Sequence, residues 1–282
     1  MPLTKKLLIT IGCLGLSLSA ANAEDRALKI CAAEDEMPYS NNKGEGFENK
    51  LAQLLGEALQ KKVSYEYWTD PRYYLRDTLE KGLCDVVIGV DTGDPRVATS
   101  LPYYRSGYVF ITRKSDRPAI DNWHSEALRS VQRIAFVPGS PAEVMLRAIG
   151  RYNDQFNYSQ ELVGYKSRRN QYVKYDNAKL VGEVSSGHAE VAALWGPSAG
   201  RYVKASATPL TMTVIPDTNT RADGEKVGFH YSTSMAVRKG DEALLAQLNH
   251  VIKTKQTEIR QILEAEGIPL LDVDAIAVAA SH

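Results

Sequence analysis

The chain has 282 residues, enough for one or two domains with cores of their own. Its 34 basic and 34 acidic residues cancel, so there is no broad basic field to argue for nucleic acid as a partner. Its apolar and aromatic fractions, 44% and 8%, are those of an ordinary globular protein.

Residues 1–23 have the pattern of an export signal. Lys5 and Lys6 form a charged start, Leu7 to Leu18 is mostly apolar, and Ala21-Asn22-Ala23 fits an A-x-A cleavage site. The segment is short for a membrane anchor and no second span follows, so no membrane span is expected in the mature protein. Cys13 offers a lipoprotein alternative, against which Thr10 stands where a leucine is usual. Cleavage after Ala23 leaves Cys31 and Cys84. An even pair in an oxidising compartment points to a disulfide, and both residues fall at or near the start of a strand, where they could lie side by side in one sheet. Two free buried thiols are the alternative.

Along the mature chain, Ala27 to Ala33 reads as a first strand, followed by the loop Glu34 to Ser40. Gly44-Glu45-Gly46 opens a helix whose apolar stripe is Phe47, Leu51, Leu54, Leu55, Ala58 and Leu59. Val63 to Trp68 alternates like a strand. Tyr73 to Lys81 is predicted as a second helix ended by Gly82, and Cys84 to Val90 is a buried strand. Strand, helix, strand, helix, strand predicts a parallel sheet with right-handed crossovers. The turn Asp91-Thr92-Gly93-Asp94-Pro95 then leads to Arg96 and to Leu101-Pro102-Tyr103-Tyr104, and residues 107–112 return as a strand. A strand end, an exposed loop and a positioned guanidinium are how an open α/β sheet presents a ligand site. The flat donor fork of Arg96 suits a carboxylate, and Gly89 and Gly93 let a ligand approach the backbone. An ordinary surface arginine is the plainer alternative.

Further on, Ser125 to Arg129 forms a short helix, Val131 to Val137 a strand, and Pro138-Gly139-Ser140-Pro141 a turn into a helix over 142–151. Residues 153–172, with Lys166, Arg168 and Arg169 close together, are expected as a polar loop, with a partner-binding patch as the alternative. A helix at 175–186, a strand at 191–195, a short helix at 197–203, a strand at 209–215, a polar loop at 217–226 and a strand at 228–237 follow. Asp241 caps one amphipathic helix running to about Ala265, and 271–282 is a loose tail. This is an α/β chain of two lobes. Residues 24–113 and 232–282 form the first, and 114–231 form a second inserted in it. Crossings near Thr112–Ser115 and Tyr231–Ser234 would be a hinge, with a cleft between the lobes.

Catalytic patterns are missing. There is no Gly-x-x-x-x-Gly-Lys-Ser/Thr, Gly-x-Ser-x-Gly or His-Glu-x-x-His, and the five histidines are scattered. No enzyme activity, metal or cofactor is expected of the chain itself.

The run from Asp85 to Gly89, the 91–95 loop, Arg96 and Pro102-Tyr103-Tyr104 occur in an order that resembles the periplasmic solute-binding proteins for polar amino acids. That resemblance implies a two-lobed type II periplasmic binding protein-like fold. It implies that Arg96 grips a ligand carboxylate, in a cleft to which Gly89, Thr92, Tyr39, Ser140 and Trp195 also contribute. Ser140 would be a helix N-cap, a ligand contact, or both. Trp195 stands where amino-acid receptors place an aspartate for the ligand ammonium, so half of their grip is missing. Longer motifs narrow the resemblance: Met37-Pro38-Tyr39-Ser40-Asn41, the stretch from Gly44 to Lys50, Tyr67-Trp68, the stretch from Gly82 to Gly89, and Pro102-Tyr103-Tyr104-Arg105-Ser106. Together, over about residues 27 to 270, these look like the binding-protein-like accessory proteins of methanol-oxidation systems. The implication is a periplasmic protein that binds a PQQ-dependent methanol dehydrogenase and assists its assembly or activation. The alternative is a receptor that passes a small anionic ligand to a transporter.

Overall fold

The computed structural model describes residues 26–116, 118–163 and 175–273. The export signal, the basic residues Lys166, Arg168 and Arg169, and the tail from residue 274 lie outside the described residues.

Strand β1 (Leu28–Ala33) is followed by a small antiparallel pair, β2 (Asp35–Glu36) and β3 (Ser40–Asn41), then helix α1 (Phe47–Leu59), β4 (Val63–Trp68) and β5 (Val86–Asp91). β1 runs parallel to β4 on one side and to β5 on the other, as the strand–helix alternation predicts. The helix expected at 73–81 is instead a single wide turn of π-helix, Leu75–Leu79. The Thr78 hydroxyl donates to the Tyr74 carbonyl at 2.6 Å, and such back-bonding competes with regular helical pairing.

β6 (Ala98–Arg113) is the spine of the molecule. After it come α2 (Glu126–Ser130), β7 (Ile134–Phe136), α3 (Pro141–Ala148), α4 (Tyr152–Val163), α5 (Asn177–Ser186), β8 (Val191–Trp195), α6 (Gly196–Ala205) and β9 (Leu210–Val214). The polar stretch that follows holds a two-stranded pair, β10 (Asn219–Thr220) and β11 (Lys226–Val227). The chain closes with β12 (His230–Val237), α7 (Glu242–Thr254), α8 (Gln256–Ala265) and β13 (Leu270–Leu271). The sheet order is β4-β1-β5-β12-β6-β8-β7, with β9 and β13 also paired to β6. β6 pairs with β12 as far as Gly107, then with β8 and β9 from Tyr108 and Val109 onward. The change of partners falls upstream of the expected crossing at 112–115, because the strand runs unbroken through both halves.

Alternation along β6 supplies different cores. Tyr104 belongs to a core with Ile30, Phe47, Leu51, Ile88, Met235, Leu248 and Leu263. Beyond the change of partners, Phe110 packs with Trp123, Ile134, Phe136 and Phe229, whereas Val109 and Ile111 pack with Leu180, Val184 and Leu194. Successive residues of a strand face opposite sides of the sheet, so β6 holds both layers of the second half apart.

Two elements differ from expectation for identifiable reasons. The polar stretch after residue 152 is a helix, α4, as far as Val163. Its inward residues include Gln155 and Ser159, both fully buried. The Gln155 side chain accepts from the Ile134 amide at 2.8 Å and donates to the Gln132 carbonyl at 2.9 Å, covering the edge of β7 with an amide instead of an apolar stripe. The long C-terminal helix is two helices meeting at Lys255, where the Thr254 hydroxyl bonds back to the His250 carbonyl at 2.9 Å.

Candidate functional site

Between the two halves lies a cleft of about 630 Å³. Three loops place its walls. The first is the segment before α1. Backbone N–H groups of Phe47 and Glu48 donate to the Pro38 and Tyr39 carbonyls, both at 2.9 Å, which pins this loop to the first turn of the helix. Gly46 is required there, since a Cβ would overlap the Tyr39 carbonyl. The Asn49 side chain accepts from the amides of Asn41 and Gly46, completing the clamp. Tyr39 and Glu48 thereby reach the cleft.

The second loop follows β5. Gly93 takes a left-handed φ of 81°, and its amide donates to the Thr99 hydroxyl at 3.1 Å. This turn presents Asp91, Asp94 and Arg96 to the cleft. The third is the junction of β8 and α6. Trp195 ends the strand, and Ser198 sits in the first helical turn with its hydroxyl 2.7 Å from that of Tyr39, joining the two walls.

Of the residues expected at the site, Arg96, Gly89, Tyr39 and Trp195 line the cleft. Thr92 and Ser140 are not among its lining residues. Thr92 instead ties β5 to β12, its hydroxyl 2.8 Å from that of Ser234 and its amide donating to the Ser232 carbonyl. Ser140 holds the N-cap position of α3 without a side-chain capping bond, and its hydroxyl is buried with no partner among the described residues. The Arg96 guanidinium uses one edge on Asp94: its Nε donates to Asp94 Oδ1 at 3.0 Å and its Nη2 to Oδ2 at 2.6 Å, while its Nη1 has no partner among the described residues. Those hydrogen bonds hold the Asp94 carboxyl below the usual range.

Sequence reasoning did not single out Glu48, Tyr74, Tyr108, Ser198 or Tyr231 as lining residues. Trp195, Tyr108 and Tyr231 form one aromatic wall, with ring centroids 5.4 to 6.4 Å apart. The sequence signals for Glu48 were its place in the first turn of a helix otherwise committed to the core and in the stretch from Gly44 to Lys50, neither of which marks it as a cleft residue. A Cβ at Gly89 would overlap its carboxylate, so Gly89 serves to make room for that acid.

Burial, and after it the Glu36 charge, raise the Glu48 carboxyl from 4.5 to about 7. The folded chain therefore holds a proton here that the unfolded chain has released, and stability falls as pH rises through that window. Glu48→Gln is expected to stabilise the protein by about 2 kcal/mol near pH 8 and to have little effect near pH 5. Urea unfolding at the two pH values checks this, and an equal effect at both would refute it.

Burial first, then the charge of Asp94, also raises the Asp91 carboxyl. The hydroxyls of Tyr74, Tyr104 and Tyr108 are pushed up by burial and stay protonated. Among the described residues no group of three or more His, Cys, Asp or Glu is placed to hold a metal, and no helix is long and apolar enough to cross a membrane.

Comparison with known proteins places these features in a family. The model of the bacterial extracellular solute-binding proteins, family 3, matches residues 28–265. Protein MoxJ of Methylorubrum extorquens is 43% identical over 255 residues, covering 90% of this chain and 85% of that protein. Protein MoxJ of Paracoccus denitrificans is 37% identical over 254 residues, covering 90% and 92%. The crystal structure of MxaJ from Methlophaga aminisulfidivorans MPT superposes with a TM-score of 0.82 at 48% identity, over 87% of this chain and all of that one.

Proposed function

The chain belongs to family 3 of the bacterial extracellular solute-binding proteins, with their type II periplasmic binding protein fold, and from that premise we propose that it is a periplasmic accessory protein of a methanol-oxidation system. It binds a PQQ-dependent methanol dehydrogenase, assists its assembly or activation, and does no catalysis of its own. The observation that carries this reading is likeness over nearly the whole chain to proteins named MoxJ and MxaJ, at 43% and 48% identity. An export signal at residues 1–23 would deliver it to the periplasm.

Two features of the fold support an accessory role over that of an anion receptor. Arg96, the group that would grip a carboxylate, spends its Nε and one Nη2 hydrogen on Asp94, which offsets its charge and leaves only its Nη1 side for a ligand. The halves are also tied to each other: Glu266 binds Lys50 of α1 and Arg201 of α6, and the Lys204 ammonium donates to the Ala265 carbonyl at 2.9 Å. α6 lies close enough that a Cβ at Gly200 would overlap the Gly267 backbone. A receptor that opens and shuts would have to break these ties on each cycle.

The test is a deletion strain of a methylotroph together with purified components. Loss of the chain is expected to lower the assembled, PQQ-loaded dehydrogenase in the periplasm, and plasmid-borne wild type to restore it. The purified chain should co-elute with dehydrogenase subunits in size-exclusion chromatography. Unchanged dehydrogenase in the deletion strain would overturn the proposal.

A further inference from the structure

A groove of about 900 Å³, larger than the cleft, runs between the start of β6 and the junction of α7 and α8. Its apolar lining includes Leu101 and Pro102 of β6, Ile252 of α7, Ile259 of α8, and Leu270 and Leu271 of β13. Leu101 is 41% exposed. A lone exposed leucine would mean little, but this one joins the half-buried Pro102, Leu270, Leu271 and Val273 in one concave patch. Two cations stand on the rim. Arg260 is paired with Glu264 at 2.7 Å, whereas Lys253 is exposed and stands in no ion pair among the described residues.

The chain itself leads into this groove. β13 runs antiparallel to β6, with Leu270 against Ser106 and Leu271 against Arg105, so the chain leaves it heading toward Pro102 and Leu101. Pro102 has no N–H to offer a partner strand, and the Leu101 N–H already donates to the Asn249 side chain of α7 at 2.7 Å. Beyond β13 the groove is therefore met through side chains and not by a longer ladder. Val273, the last described residue, already lines it.

Residues 274–282, outside the described residues, read Asp-Ala-Ile-Ala-Val-Ala-Ala-Ser-His. Side chains two apart share a face of an extended segment, so Asp274, Ile276 and Val278 fall in line with only alanines between them. One face then offers an acid followed by two aliphatic groups, the complement of a free ammonium beside an apolar floor. A segment tethered at the groove's own edge is held there at an effective concentration on the order of millimolar, an advantage no free partner has.

We propose that residues 274–282 lie along this groove as a strap instead of a loose tail. Ile276 and Val278 cover the floor between Leu101 and Ile259, and the Asp274 carboxylate pairs with the Lys253 ammonium. The strap fastens β13 to the junction of α7 and α8. It goes beyond the accessory role and does not rest on it.

The test is hydrogen–deuterium exchange of the full mature chain, bridge intact, read on the peptide that covers residues 274–282. Its amides are expected to exchange at least about tenfold more slowly than the same sequence as a free peptide. Ile276→Asp should return them to the free-peptide rate and speed exchange over residues 252–260, which lose their cover. Lys253→Glu should reduce the protection by about twofold to fivefold, the scale of an exposed ion pair, and Lys253→Glu with Asp274→Lys should restore it. Exchange at the free-peptide rate in the wild-type chain would overturn the proposal. Protection that survives Ile276→Asp would overturn it too, by placing the segment elsewhere. Sedimentation of the same chain supplies the remaining arm: a dimer that Leu101→Lys dissolves would give the groove to a second copy and sink the strap, whereas a monomer is expected.

Discussion

Reduction of the Cys31–Cys84 bridge is expected to lower the free energy of unfolding by about 4 kcal/mol, the chain-entropy value for a loop of this length. The bridge joins β1 to the residue pair before β5 across 53 residues of sequence, with Cα atoms 5.4 Å apart. The loop it closes contains α1, β4 and the π turn, and so most of the first half's parallel sheet. Without the bridge, the unfolded chain regains that loop's freedom while the folded sheet keeps its pairing. Both cysteines are buried, packed among Leu75, Leu79, Val87, Val90 and Ala236. Reductant should therefore reach them only when this region opens. Urea unfolding with and without a phosphine reductant, beside the Cys31→Ala/Cys84→Ala variant, measures the effect. The double variant should lose somewhat more than the reduced protein, since it also removes two buried sulfur atoms. A loss below about 1 kcal/mol would show that the unfolded chain keeps this loop ordered without the bridge.

That pair was legible in the sequence because cysteine chemistry is scarce: once the signal is removed, two candidates remain and both fall at or near the start of a strand. The parallel order of β1, β4 and β5 was legible for a similar reason, as apolar period and glycine punctuation agree there. Helix α4 was not legible, because there a polar residue does an apolar residue's work. Gln155 and Ser159 face inward on α4 and satisfy the edge of β7, so the inner stripe of that helix looked like surface. Local charge was not legible either. A chain with a net charge of zero says nothing about local pairing, and Arg96 drew attention that its neighbour Asp94 shared. Contacts across long separations were the least legible. Glu266 meets Lys50 across 216 residues and Arg201 across 65, and no pattern in the C-terminal stripe marks it.

Glu266→Ala is expected to cost about 3 kcal/mol, the scale for removing one partner from a buried ionic cluster. Its side chain is only 4% exposed, yet it carries both cations. Lys50 donates to Oε1 at 2.6 Å, while Arg201 donates from Nε to Oε2 at 2.5 Å and from Nη2 to Oε1 at 2.9 Å. Arg201 also donates to the Glu45 carbonyl at 2.8 Å, so a single guanidinium on α6 holds both the loop before α1 and the turn after α8. Both cations reach solvent, at 46% and 25% exposure, so the loss should stay below the extreme for a fully buried triad. Burial alone would raise the Glu266 carboxyl. The hydrogen bonds from Arg201 and then Lys50, with their charges, outweigh it and hold the group below the ordinary glutamate range. Its contribution is therefore full above the unfolded value, about 4.3, and is lost as pH falls from there through the depressed folded value. Glu266→Gln and wild type should differ at neutral pH and converge in acid. Unfolding curves that stay parallel down through that range would place the cost in packing instead of charge. Because the cluster spans Lys50 on one half and Arg201 on the other, the neutral variant should also let the halves separate. Small-angle scattering of folded Glu266→Gln is expected to give a larger radius of gyration than wild type, and an identical radius would show that the α6 glycine contacts hold the halves together without the charges.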